Sequence, residues 1–223
     1  MHLSDKPHSP VHSRRTRPPC AALLLALAAW FAVAAAHAQE APDRLIKRVV
    51  AEVTSAIDAD RDLQAGDRAK ITALVSAKVF PHLELEAMTR AAAGRHWPRA
   101  TPEQQKALIR EFSRLLINTY AGAFTAYRPD TVIEYRPMRM APGATEAVVR
   151  SLVKAHMGDS MQLDYYLELA GGAWKVVDIN VLGARLIETY KNQFNGAISS
   201  DGIDGLIKTM AARNKATEER YRS

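Results

Sequence analysis

Four strand-like runs, Thr131–Met140, Ala147–Met157, Met161–Leu169 and Trp174–Val181, follow one another closely. Only Ala141-Pro142-Gly143, Gly158-Asp159-Ser160 and Gly171-Gly172 stand between them, and each is a short turn signal. No other feature limits the fold so tightly. Connections this short join antiparallel neighbours, because a parallel return needs a crossover of a dozen or more residues. The third run alternates. Met161, Leu163, Tyr165, Leu167 and Leu169 fall on one face, and Gln162, Asp164, Tyr166 and Glu168 on the other. In the second, Val149, Val153 and Ala155 share a face with the small Ser151. One face of the meander is therefore apolar and needs a cover.

Helical periodicity on both sides supplies it. Pro42–Asp60 places Leu45, Val49, Val53 and Ile57 at four-residue spacing. Gly66-Asp67 opens a second helix through Ile71, Leu74, Val75 and Val79 that stops at Phe80-Pro81, and Leu83–Ala93 forms a third, closed by Gly94. Thr101-Pro102-Glu103-Gln104 is a capping-box start. The helix it opens carries Leu108, Phe112, Leu115, Leu116, Thr119, Tyr120, Ala123, Phe124 and Tyr127 as far as Pro129. After Gly183 the helical period returns with Leu186, Ile187, Tyr190 and Phe194, and Asp201-Gly202 precedes a last helix through Ile203, Leu206, Ile207 and Met210. The polar stretch 214–223 is expected to fray. The pattern predicts an α+β fold: an antiparallel four-stranded sheet packed against N- and C-terminal helices, one compact unit over 39–213.

The first 38 residues read as an export signal. Arg14, Arg15 and Arg17 precede an apolar run from Ala21 to Ala36 and an Ala36-His37-Ala38 end, the three parts of a cleaved signal peptide. Thr16-Arg17-Pro18 favours general secretion over the twin-arginine route. The single cysteine, Cys20, stands before the apolar run and not after it, the wrong place for lipoprotein acylation. Cleavage after Ala38, to which an uncleaved N-terminal anchor is the alternative, leaves a cysteine-free chain in a periplasm-like compartment. Lys6, Arg14, Arg15 and Arg17 against Asp5 also give this segment half of the net charge of +6, so the remainder carries no nucleic-acid footprint. No later window is apolar for long enough to span a bilayer as a helix.

Catalytic motifs are scarce. His82, His96 and His156 lie singly on different elements, without metal-ligand spacing, and neither a nucleophile elbow nor a phosphate-binding glycine loop occurs. Asp178, between Val177 and Ile179, is the one carboxylate in an apolar setting. It reads as a structural acceptor or as a general base. Arg136, Arg139, Arg150 and Lys154 form either a basic patch or ordinary solvated strand faces. Phe112, Tyr120, Phe124 and Tyr127 form an aromatic stripe, either core or pocket wall.

Two ordered blocks of motifs carry a resemblance. The first runs through Phe80-Pro81-His82-Leu83, Gly94-Arg95-His96-Trp97, Ala100-Thr101-Pro102-Glu103-Gln104 and Phe112-Ser113-Arg114-Leu115-Leu116-Ile117-Asn118-Thr119-Tyr120. The second is Trp174-Lys175-Val176-Val177-Asp178-Ile179-Asn180-Val181, Gly183, and Leu186-Ile187-Glu188-Thr189-Tyr190-Lys191-Asn192-Gln193-Phe194. Together they resemble the MlaC, or toluene-tolerance, family of periplasmic phospholipid-binding proteins over nearly the whole chain after residue 38. Gly183-Ala184-Arg185 departs from the family's usual Gly-Val-Ser, and Lys191 stands where Arg is usual.

The resemblance implies an NTF2-like sheet with a lipid cavity between sheet and helices, no cofactor and no catalytic residue. It also implies a monomeric shuttle between the outer and inner membranes that maintains outer-membrane lipid asymmetry. The implied partners are a phospholipid, an inner-membrane ABC transporter with a lipid-binding ring subunit and an outer-membrane lipoprotein–porin complex. On that basis Val149, Val153, Leu163, Tyr165 and Leu167 of the sheet are expected to face Phe112, Leu116, Tyr120, Leu186, Tyr190 and Phe194 of the helices across the lipid. The alternatives are an NTF2-like hydrolase or isomerase built around Asp178, a relative binding hopanoid or another lipid, and a lipid-free envelope adaptor.

Overall fold

The computed structural model describes residues 39–154 and 160–221. The proposed signal peptide, His156 and the turn at Gly158-Asp159 lie outside the described residues. Helix α1, Pro42–Ala59, begins with proline at its first position, where no hydrogen bond is lost, and buries Leu45, Ile46, Val49 and Ile57. Short helix α2, Arg61–Ala65, is capped by the Asp60 carboxylate and closed by Gly66 in the left-handed region at φ 92°. Helix α3 spans Arg68–Lys78, capped by Asp67. A 3₁₀ turn at Phe80–His82 leads to α4, Leu85–Ala93, and a second one, Gly94–Arg99, leads to α5, Pro102–Tyr120. Both halves of the α5 capping box form, with Gln104 N–H donating to Thr101 Oγ1 at 3.2 Å and Thr101 N–H to Gln104 Oε1 at 3.0 Å. The aromatic helix breaks at Ala121, and α6, Gly122–Ala126, continues as a separate turn.

The sheet runs β1 (Val132–Tyr135), β2 (Glu146–Lys154), β3 (Met161–Ala170), β4 (Ala173–Val181) and β5 (Ala184–Arg185), antiparallel in chain order. This is the predicted meander with one strand more than the four expected. Leu182 and Gly183 both take positive φ, 53° and 89°, the sign pattern of a type I′ hairpin, and fold β5 back onto Asn180 and Val181. A leucine held there costs about 1–2 kcal/mol. The first run is shorter than expected. Pairing reaches only the Arg136 N–H bond to Arg150 O, at 3.0 Å, because Pro137 has no N–H to continue the ladder. A bulge opposite Tyr166–Leu167 inserts Val177, so β4 changes its alternation midway.

Helix α7, Leu186–Arg220, bends at Gly202, whose φ of 73° and ψ of −179° are not helical. The tail that was expected to fray is instead helical to Arg220. Asn214 is fully buried and donates to Glu111 O at 2.9 Å and Glu111 Oε2 at 3.2 Å, and Arg114 holds Glu218 through three bonds at 2.8, 2.9 and 3.2 Å. A polar sequence frays only where its groups find solvent, and here they find each other.

Buried apolar side chains form three clusters. One joins α4, α5 and α7 through Met88, Leu108, Phe112, Tyr190 and Phe194. Another seats Leu45, Ile46 and Val49 of α1 on Ala147, Val149, Leu167, Trp174 and Val176 of the sheet. The third packs Leu63, Ile71 and Val75 against Ala121.

Candidate functional site: a half-covered apolar sheet face

Strand register fixes which side chains share the apolar face. Ile133 pairs with Val153 and Val153 with Met161, while Leu163 pairs with Val181. Further along, Tyr135 pairs with Ser151, Val149 with Tyr165 and Tyr165 with Ile179. Leu167 then lies between Ala147 and Val176. Apart from Ser151 the face is apolar along its length, but α1 covers only one end. Val149, Leu167 and Val176 are at most 2 % exposed. Ile133, Tyr135, Val153, Leu163, Ile179 and Val181 are all half-buried.

Two tyrosines mark the edge of the covered part. Burial raises the phenol pKa of Tyr165, against the opposing effect of its hydrogen bond with Ser151. Tyr135 is pushed up to about 12, by burial first and then by the neighbouring Tyr165. Both rings nevertheless retain accessible surface. Both phenols are thus partly withdrawn from water while remaining reachable, at the edge of the α1 cluster. Buried Ser151 Oγ donates to Leu163 O at 3.4 Å, so a polar atom within the apolar face is satisfied by the sheet itself.

The eleven residues singled out from the sequence fall into two groups. Val149, Tyr165 and Leu167 belong to the α1–sheet cluster, and Val153 and Leu163 lie at the open end of the same face. Phe112, Leu116, Leu186, Tyr190 and Phe194 belong to the helical cluster, which contains no buried strand residue. Phe112 meets Tyr190 and Phe194 edge-on at centroid distances of 4.9 and 5.2 Å, the spacing of packed core aromatics. Tyr120 is 40 % exposed. Sequence reasoning passed over Ile133, Tyr135, Ile179 and Val181. The first two alternate within the first strand and were within reach, whereas the bulge at Val177 disguises the other two.

The remaining candidate chemistry is bound up in structure. Asp178, 4 % exposed, accepts from Ile179 N–H at 2.8 Å and Ile187 N–H at 3.0 Å on one oxygen, and from Arg185 Nε at 2.7 Å on the other. It thereby caps the first turn of α7, and Arg185 lies 4.0 Å from the Tyr166 ring centroid. This is the structural-acceptor role, filled in part by the Arg185 that departs from the usual motif. His96 Nε2 lies 3.0 Å from Asn195 Oδ1, within the helical region. In the basic patch, Lys154 pairs with Glu134 at 2.6 Å and Arg150 lies 3.9 Å from Asp164. No described helix is long and apolar enough to cross a membrane.

Comparison with known proteins bears on the fold and the family. The fold superposes on a phospholipid-binding protein of Ralstonia solanacearum, solved in complex with a phospholipid. The TM-score is 0.75 at 40 % identity, covering 79 % of this chain and 98 % of that one. The intermembrane phospholipid transport system binding protein MlaC of Haemophilus influenzae is 23 % identical over 191 residues, 84 % of this chain and 89 % of that protein. Toluene tolerance protein ttg2D of Pseudomonas putida is 32 % identical over 112 residues, about half of each chain. The family profile described as MlaC protein matches residues 47–212, and the chain belongs to that family.

Proposed function

We propose that this protein is a phospholipid carrier whose open apolar sheet face, at Ile133, Tyr135, Val153, Leu163, Tyr165 and Ile179, receives the acyl chains. The observation that carries the reading is the row of paired apolar side chains, Ile133 with Val153 and Leu163 with Val181, that stays accessible beyond the α1 cluster. A phospholipid carries about 30 methylenes at roughly 0.8 kcal/mol each, so free passage through water faces a gross barrier of about 24 kcal/mol. An apolar face removes most of that barrier without any bond being made or broken. Loading and unloading then stay nearly balanced, and direction must come from a partner that spends energy. The chain acts in the periplasm after loss of residues 1–38, as a monomer and not as an enzyme. It moves phospholipid between the outer and inner membranes and so maintains outer-membrane lipid asymmetry. An outer-membrane lipoprotein–porin complex and an inner-membrane ABC transporter with a lipid-binding ring are its partners. The family and the phospholipid-bound relative support this reading.

Mass spectrometry of the purified protein, native and after organic extraction, tests it. Wild type should release phospholipid, and Leu163→Asp, which sets a charge on the open face, should release far less while keeping the same circular dichroism spectrum. Wild type that carries no lipid and accepts none from vesicles would refute the carrier reading. Equal lipid in the variant would move the site elsewhere.

A further inference from the structure

Leu182 is disfavoured where it stands, in two independent ways. Among the described residues it is the one non-glycine with positive φ, at a hairpin position where asparagine or glycine fits the backbone without strain. It is also 68 % exposed, more than any other large apolar side chain among those residues. Neither the fold nor the solvent asks for leucine, and an outlier of this kind points to a function outside the fold. Its position in the sheet supplies one. Leu182 N–H donates to Gln162 O at 3.1 Å, and the preceding Val181 pairs with Leu163. The turn therefore stands at the open end of the apolar face. Val132, itself 54 % exposed, occupies the same end, one residue before Ile133.

We infer that the Val181–Ala184 turn is a membrane-contact tip, with Leu182 entering the interfacial layer of a lipid bilayer and bringing the open end of the apolar face against it. The inference rests on the carrier reading, since it continues the same apolar surface from the site to its rim. Among the described residues at this end, Lys154 is paired with Glu134 and Arg185 with Asp178. Contact is thus driven by apolar insertion, needs no anionic lipid and resists salt.

Three proteins test this: wild type, Leu182→Asn, which suits the positive φ, and Leu182→Phe, which restores an apolar tip. Each is loaded with pyrene-labelled phosphatidylcholine and mixed with phosphatidylcholine vesicles at low and high salt, and the change in pyrene fluorescence gives the transfer rate. Leu182→Asn should hold as much lipid as wild type and melt no lower. It should transfer about tenfold more slowly, a factor within what one leucine side chain gains on leaving water. Leu182→Phe should transfer at least as fast as wild type, and neither rate should depend on salt. A fully loaded Leu182→Asn that transfers at the wild-type rate overturns the tip and leaves the carrier reading standing. Wild type that takes up no labelled lipid removes the carrier reading, and the tip with it.

Discussion

Asp178 separates a structural carboxylate from a catalytic one, because its two oxygens have different work. Oδ1 accepts both backbone donors, Ile179 N–H and Ile187 N–H, while Oδ2 takes Arg185 alone. Asp178→Ala leaves both backbone donors without a partner, one of them buried at the start of α7, at about 1–3 kcal/mol each. The lost Arg185 pair adds less than about 1 kcal/mol, because the arginine side chain is 48 % exposed. The expected cost is about 3–4 kcal/mol, or a melting temperature lower by about 10 °C in a domain of this size. Asp178→Asn keeps an oxygen in the Oδ1 position and loses only the ion pair, so it should cost about 1 kcal/mol. Urea denaturation followed by circular dichroism measures both. Lipid bound per folded molecule should be unchanged in either variant. An alanine variant within 1 kcal/mol of wild type would refute the capping argument. So would an asparagine variant as damaged as the alanine one.

Three further perturbations follow from buried groups. Phe112→Ala should cost about 3–5 kcal/mol in the same denaturation assay, because it opens a cavity between Tyr190 and Phe194, while lipid per folded molecule holds. Asn214→Ala strips donors from the Glu111 carbonyl and carboxylate and should cost about 1–3 kcal/mol. Glu111 also sets an acid limb. Burial alone would raise its pKa, but bonds from Asn214 and Arg110 and the charges of Arg114 and Arg110 together hold it below the ordinary 4.5. Its contribution is therefore present above pH 4.5 and lost as pH falls from there through the lowered value. Glu111→Gln should flatten stability against pH in that window when both proteins are titrated from neutral to acid.

Much of this architecture was legible where local chemistry alone decides it. The capping box at Thr101 and Gln104, the helix opened at Asp67 and the break at Gly202 each follow from what a few neighbouring residues can do. The fifth strand was not legible. Its turn lacks the Asn-Gly or Asp-Gly pair that marks a type I′ hairpin, and leucine is the wrong residue from which to predict positive φ. The tail was misjudged because Asn214 and Glu218 look solvated until Glu111 and Arg114, about a hundred residues earlier, are brought beside them. The site was half legible for the same reason. Periodicity assigns Phe112 and Val149 each to an apolar face, but it does not say which face meets which.

One comparison within the sheet shows what periodicity can reveal about binding. On β2, the alternate positions Ala147, Val149, Ser151 and Val153 stay small or apolar from one end of the strand to the other, although only Ala147 and Val149 belong to the cluster that α1 covers. The β3 series Leu163, Tyr165, Leu167 and Leu169 does the same in register. An antiparallel sheet face left to water ordinarily turns polar where its cover ends, because apolar side chains gain nothing there. A face whose alternation stays apolar past the last covering residue is matched to something other than its own chain. The excess, from Val153 and Leu163 to Ile133, Ile179 and Val181, is aligned along the strands and open at the end marked by Leu182. An elongated apolar ligand entering from that end accounts for both the length of the excess and its direction. A compact polar substrate held at Asp178 accounts for neither, since that carboxylate is already saturated by Ile179, Ile187 and Arg185.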